Sequence, residues 1–383
     1  MPPVLWPLLF GNFVVGCGVN VLPATLPEIS ASLGVPVARA GVLITASAFV
    51  VALSAPLFAA VVAGWDRRRL LALAVLWYGA LHLACAAMPG LPSLLGARAL
   101  AMVAPAIFTP QAAACVGLLV PAQQRGRAVT FVFLGFSVAS VVGVPVGAWI
   151  GGTFGWRAAF AFVGAMGVVN AAWIYATMPD GVKPPGLSLS AWRAMLRSPA
   201  LMGCVAVTLV FGSGQFTLYS YLAPFLKDRV GLSTGQFSAL LMWFGIVGLA
   251  GNALMSRTID RVGPARSVMT SLGLGAATLL AWPLATGFGM AALVITPWAL
   301  GYFSSNSAQQ ARLAGIAPAL ASASIALNTS AIYAGQGIGA AIGGALIAQG
   351  HWHLLHWAAL AGMLLAMAAS FQAARLARAP AAA

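Results

Sequence analysis

Five carboxylates, Glu28, Asp66, Asp180, Asp228 and Asp260, stand against nineteen lysines and arginines in this chain. None of the five falls in the middle of an apolar stretch. A charge at the centre of a bilayer costs about 2.5–3.5 kcal/mol on insertion scales, so an embedded carboxylate, where one occurs, marks function. Without one, proton chemistry falls to Glu28 near the end of the first apolar stretch, to His82 in the third, or to a network around Arg98 in the fourth. Each has a plain structural alternative: a solvated helix end for Glu28 and a packed, hydrogen-bonded ring for His82. Arg98 is only about 9 Å along a helix from Pro92, at 1.5 Å per residue, so its side chain could snorkel to the headgroups.

Uncharged polar groups offer a second kind of chemistry. Asn20, Gln111, Gln215, Tyr219, Tyr221, Asn306, Gln309, Asn328, Tyr333 and Gln336 all lie within apolar stretches. Buried amides in lipid need partners, so about half of these should only bridge helices and the rest should line a solute path. A path of amides and phenols with almost no fixed charge suits a neutral or weakly charged organic molecule, such as a sugar, a nucleoside or a drug. A cation would call for a carboxylate, and an anion for more than Arg98. The run His351-x-His353-x-x-His356 lacks the ligand set of a metal site, and no metal or cofactor is expected. There is no His-Glu-x-x-His, no Gly-x-Ser-x-Gly and no Walker A sequence, which argues against an enzyme and against ATP drive through a P-loop. The four cysteines fit small packing residues.

The elements that must position these groups are membrane helices. Hydrophobic residues make up 61% and charged residues 6%, where soluble domains carry about 25% charged residues. At about 20 residues per span, twelve spans are expected, near 5–27, 40–63, 70–89, 93–119, 128–152, 157–178, 200–226, 236–256, 265–286, 288–310, 319–348 and 354–374. The residues MPPVLW lack a basic region, so the first span is expected to be retained. The net charge of +14 is no nucleic-acid signal, because it comes in short clusters between spans. With both termini in the cytoplasm, fourteen basic residues, Arg378 among them, are cytoplasmic and five are not. That bias sets the expected orientation.

Residues 179–199 form a longer connection with Pro-Asp-Gly and Pro-Pro breakers, then Trp192, Met195 and Leu196 beside Arg193 and Arg197, a pattern for a short helix lying on the membrane surface. It divides the chain into 1–178 and 200–383, six spans each. The halves look duplicated: Asp66-Arg67 and Asp260-Arg261 are 194 residues apart, and the same offset carries Gly143 to Gly337 and Pro145 to Gly339. Between Phe131 and Phe154 the fifth span contains Gly135, Gly143, Pro145, Gly147, Gly151 and Gly152. Such a segment would break in water, but in a bilayer it should form a bent, closely packed helix. The bend is expected in the first half alone, because the eleventh span lacks the proline.

Four motifs resemble the major facilitator superfamily over essentially the whole length, in particular its drug/proton-antiporter branch with the arabinose- and sugar-efflux permeases. They are Asp260-Arg261-Val262-Gly263 after the eighth span, Arg98 in LLGARAL, Gly143-Val144-Pro145-Val146-Gly147 followed by GWRAAF, and FTLYSYLAPFL (216–226) with LNTSAIYAGQGIG (327–339). The resemblance implies an all-α membrane protein of twelve transmembrane helices in two pseudo-symmetric six-helix bundles. It implies a monomeric exporter of the cell inner membrane, working by alternating access against protons. It makes Gln111, Gln215, Tyr219 and Asn328 the substrate-binding candidates, since the fourth, seventh and eleventh spans line the path in this superfamily. Arg98, Glu28 and His82 become candidates for coupling. Asp66, Arg67, Asp260, Arg261 and Gly263 become a cytoplasmic latch between the halves. Gly143, Pro145 and Gly147 become the antiporter motif, sealing a helix interface away from the substrate. In the first half the latch departs from the pattern, since Arg69 occupies the glycine position. An uncoupled facilitator or an importer is the alternative.

Overall fold

The computed structural model describes residues 2–62, 64–121, 124–183 and 189–377. Arg378 and residues 184–188 of the connection lie outside the described residues. Among them the chain is helical without strands, and twelve helices are long and apolar enough to cross a membrane. They are α1 (Leu5–Leu33), α2 (Val37–Phe58), α3 (Arg67–Ala87), α4 (Leu91–Val116), α5 (Ala128–Phe154), α6 (Trp156–Thr177), α7 (Pro199–Arg229), α8 (Thr234–Val262), α9 (Pro264–Leu284), α10 (Phe288–Ile316), α11 (Ala323–Ala348) and α12 (Trp352–Leu376). Alternate helices run in opposite directions, so both chain termini lie at one end of the bundle. We call that the near end and the opposite one the far end.

Backbone satisfaction within each helix is what lets so many glycines and prolines stay helical. Where the ladder cannot continue, glycine takes the left-handed region: Gly155 (φ 88°) separates α5 from α6, and Gly263 (φ 87°) separates α8 from α9. Pro145 cannot donate to the ladder, and α5 responds with a π-turn over Ala139–Gly143 directly before it. α11 runs unbroken through the equivalent region. The short helix Leu189–Leu196 follows the described part of the connection, with Met195 buried against the core and Leu196 exposed.

Within each half the helices approach through small residues. In the first half, a Cβ on Gly135 would strike the Leu9 carbonyl of α1, one on Gly143 the Cys17 sulfur, and one on Gly151 the Thr25 side chain. In the second half, Gly335 and Gly339 of α11 meet the backbone of α7 at Leu209 and Ser213. The α1–α5 pairing thus recurs as α7–α11, as a duplicated unit requires. Gly147 has open space where a side chain would be, so Gly143 packs in the antiporter motif and Gly147 does not.

The two halves meet along the far half of the bundle. A Cβ on Gly245 of α8 would lie 2.7 Å from the Ser140 carbonyl oxygen at the α5 π-turn. Gly152 of α5 faces Thr234 of α8, Gly337 of α11 faces the Phe49 ring of α2, and Gly41, near the start of α2, faces the Tyr221 hydroxyl of α7. At the far end, Lys227 of α7 forms an ion pair with Glu28 of α1, the two side chains being 11% and 17% exposed. The Lys227 ammonium also sits 5.7 Å from the centroid of the Phe237 ring. Glu28 is therefore no solvated helix end. These contacts close the bundle at its far end.

Candidate functional site

Arg98 lies seven residues into α4, about 10 Å from its far-end start at 1.5 Å per residue. It is 1% exposed, which excludes the snorkelling reading. Three helices converge on it. His82 of α3 lies with its Nε2 2.7 Å from Arg98 Nη1, and Arg98 Nη2 donates to the Gly18 carbonyl of α1 at 2.6 Å. His82 Nδ1 is 2.8 Å from the Tyr78 carbonyl, and Tyr78 Oη donates to the Val15 carbonyl at 3.2 Å. A guanidinium only donates, so His82 Nε2 must accept and Nδ1 must carry the hydrogen. That arrangement makes the ring neutral.

Gly18 is what allows the cluster to form. A Cβ there would lie 2.8 Å from His82 Nε2 and strike the Tyr78 hydroxyl. The Phe160 ring of α6 closes the other side, its centroid 5.7 Å from the guanidinium carbon. Among the described residues no carboxylate lies within ion-pair distance of Arg98, and its Nε has no hydrogen-bond partner.

Arg98 also lines a narrow cleft that spans the two halves, with room for about one water. Val19 and Leu22 of α1, Ile44, Ser47, Ala48 and Val51 of α2, and Met102 of α4 form its first-half wall. Tyr333 and Gln336 of α11 form its second-half wall. Ser47 Oγ is buried without a partner. Ser47 is ten residues into α2 and Gln336 twelve residues from the end of α11, so both sit about 15–18 Å deep, near the middle of a ~30 Å hydrocarbon layer.

The four residues favoured as substrate contacts do not gather there. Gln215 Oε1 accepts from Trp298 Nε1 at 3.3 Å, inside an aromatic cluster of the second half. Tyr219 belongs to the same cluster, with ring centroids 5.4 Å from Tyr302 and 6.0 Å from Trp298. Asn328 is fully buried, accepting from Thr208 Oγ1 at 2.5 Å and donating to Asn306 Oδ1 at 3.2 Å. Its amide ties α7, α10 and α11 together. Gln111 is buried in α4 and makes no hydrogen bond among the described residues. A second, equally small cavity lies within the second half, beside Thr208, Asn306 and Gln309. The inter-half cleft takes its polar groups from Arg98, Tyr333 and Gln336, which the sequence marked as candidates, and from Ser47, which it did not. A lone serine in an apolar span carries no distinguishing signal.

The latch residues split into two groups. Asp66 caps α3 by accepting from Arg69 N at 3.3 Å, and its other oxygen accepts from Gly181 N at 2.5 Å. Arg67 is buried, donating from Nη1 to the carbonyls of Val62 and Trp65, while its backbone N–H bonds the Val182 carbonyl. Arg68 pairs with Asp180 at 2.8 Å. The first loop thus ties α3 to the chain leaving α6, inside its own half, where the expectation had it joining the halves. Asp260 and Arg261 sit in the last turn of α8, exposed and without an ion pair among the described residues.

A buried polar cleft at mid-depth, between two duplicated six-helix halves, defines a solute transporter. A family profile described as Major Facilitator Superfamily matches residues 8–329, and the chain belongs to that superfamily. It is 31% identical to the "Chloramphenicol resistance protein" of Streptomyces lividans, over 74% of this chain and 72% of that one. It is 29% identical to the "Probable sugar efflux transporter" of Pasteurella multocida, over 87% and 82% of the two chains. Its fold is similar to a bacterial homolog of the human lysosomal transporter Spinster solved in an inward-facing, unoccupied conformation, with a TM-score of 0.74, 17% identity and 98% of each chain covered.

Proposed function

We propose that the protein is a secondary active exporter of a small, neutral or weakly charged organic molecule, driven by proton antiport. It resides in a cell inner membrane with both termini cytoplasmic and acts as a monomer. The inter-half cleft at mid-depth carries this reading, since a solute held there changes sides when the halves rock. The efflux and resistance names of the relatives support the outward direction. With the termini inside, the far end, closed in this structure, is the external one.

Coupling falls to the two pairs that contain titratable groups, His82–Arg98 and Glu28–Lys227. A proton on His82 Nε2 would displace Arg98 Nη1 and free the guanidinium toward the cleft. A proton on Glu28 would remove the charge that holds α1 to α7. When the far end opens, Asp260 and Arg261 would close the near end, with Gly263 setting their turn. Gln111, Gln215, Tyr219 and Asn328 would enter the solute path only in other conformations of the cycle. Among the described residues no carboxylate lines the cleft, and this favours a second reading, an uncoupled facilitator or importer. The test is uptake of labelled sugars, nucleosides and chloramphenicol into inverted proteoliposomes, with and without an imposed pH gradient. Antiport requires accumulation that follows the gradient. Equilibration that ignores it leaves the facilitator.

A further inference from the structure

The cleft holds four polar groups with unused hydrogen-bonding capacity. Arg98 presents five N–H donors, of which Nη1 and Nη2 reach His82 and the Gly18 carbonyl while Nε has no partner. Ser47 Oγ is buried without a partner. Tyr333 and Gln336 line the same space and make no hydrogen bond among the described residues. Both of Arg98's partners are neutral, so its charge is buried without compensation, a state that costs several kcal/mol unless an anion is near.

We propose that the missing counter-charge arrives with the cargo: the cleft is the docking site for a carboxylate head on an otherwise apolar organic molecule. Resting on the exporter reading, this narrows "weakly charged" to weak organic acids in their ionised form. Arg98 Nε, Ser47 Oγ and the Gln336 amide supply donors from three helices, two of one half and one of the other. Tyr333 adds a hydroxyl. Val51 and Met102 give the cleft its apolar wall. In this closed state the cleft has room for only about one water, so a carboxylate would enter it as the halves part. Because the donors belong to both halves, a bound carboxylate would also hold the halves together around itself.

The test uses purified full-length protein in detergent, followed by thermal unfolding through tryptophan fluorescence. The probes are sodium benzoate and sodium octanoate, their primary amides in sodium chloride of equal ionic strength, and sodium chloride alone. The acids should raise the unfolding temperature, while the amides and chloride do not. Arg98→Gln should abolish the acid effect and Arg98→Lys keep part of it. Ser47→Val and Gln336→Leu, which leave the guanidinium in place, should each weaken acid binding about tenfold, the loss of one hydrogen bond to a charged group. Equal shifts by acid and amide, a chloride shift matching the acids, or no shift by either acid would overturn the proposal. Transport separates it from the exporter reading. Acid binding without any flux keeps the site and removes export. Export of sugars or chloramphenicol that excess benzoate leaves unchanged keeps export and removes the site.

Discussion

Replacing Lys227 with methionine should open the far end, and the structure sets the size of the effect. The Glu28–Lys227 pair joins α1 to α7 across the two halves with side chains 17% and 11% exposed. An exposed pair contributes about 0–1 kcal/mol, and breaking a fully buried one costs about 3–5 kcal/mol. This pair falls between them. Among the described residues Glu28 Oε2 has no partner, so the pair is incompletely satisfied and belongs near the low end. A loss of about 1–2 kcal/mol from the closed state multiplies a minor open population by roughly 5–30. The assay is the labelling rate of Thr234→Cys, opposite Gly152 at the far-end seam, by a membrane-impermeant maleimide. The four native cysteines are buried and give little background. Lys227→Met should raise the rate by that factor, and the exchanged pair Glu28→Lys with Lys227→Glu should bring it back. A rate within twofold of the parent, or an exchanged pair that labels like the single variant, would refute a gating role.

Three other outcomes are expected. Gly245→Val should disfavour far-end closure by about 1–3 kcal/mol, because the new Cβ would lie 2.7 Å from the Ser140 backbone oxygen across the seam; the same labelling assay should show faster reaction with expression retained. Asn328→Leu should lower the unfolding temperature, since it leaves Thr208 and Asn306 unpaired in a buried site at about 1–3 kcal/mol. If Asp260 latches the near end, Asp260→Asn should slow transport in proteoliposomes yet leave thermal stability unchanged, because the carboxylate is exposed and makes no ion pair among the described residues.

The architecture was legible because membrane insertion leaves a coarse signature: long apolar runs, and motifs repeated at one offset. The break in the regular winding of α5 was legible too, since Pro145 removes a backbone donor whatever surrounds it. What was not legible depends on the third dimension. Position along α4 suggested that Arg98 could reach the headgroups. The helix turns it inward instead, and Gly18 of α1 leaves room for the His82 ring that receives it. Asn328 and Gln215 have the right chemistry for solute contact, but neighbouring side chains already use that chemistry. Ser47 shows the opposite failure, a residue without sequence signal that becomes significant through what faces it. Asp66 and Asp260 share a motif and differ in partners, because one is followed through α6 by the connection and the other is not.

The π-turn at Ala139–Gly143 has a consequence for the phase of α5. A π-turn carries one more residue than the α-turn it replaces, and each residue of an α-helix advances the side-chain direction by about 100°. Deleting one residue between 139 and 143 would turn the π-turn into an α-turn and leave the phase of Val144–Phe154 as it is, with Gly151 still against Thr25 and Gly152 against Thr234. A one-residue deletion in the regular winding that follows, between Val144 and Ile150, has no surplus to absorb it. It would rotate the rest of the helix by about 100° and misalign both the α1 interface and the seam between the halves.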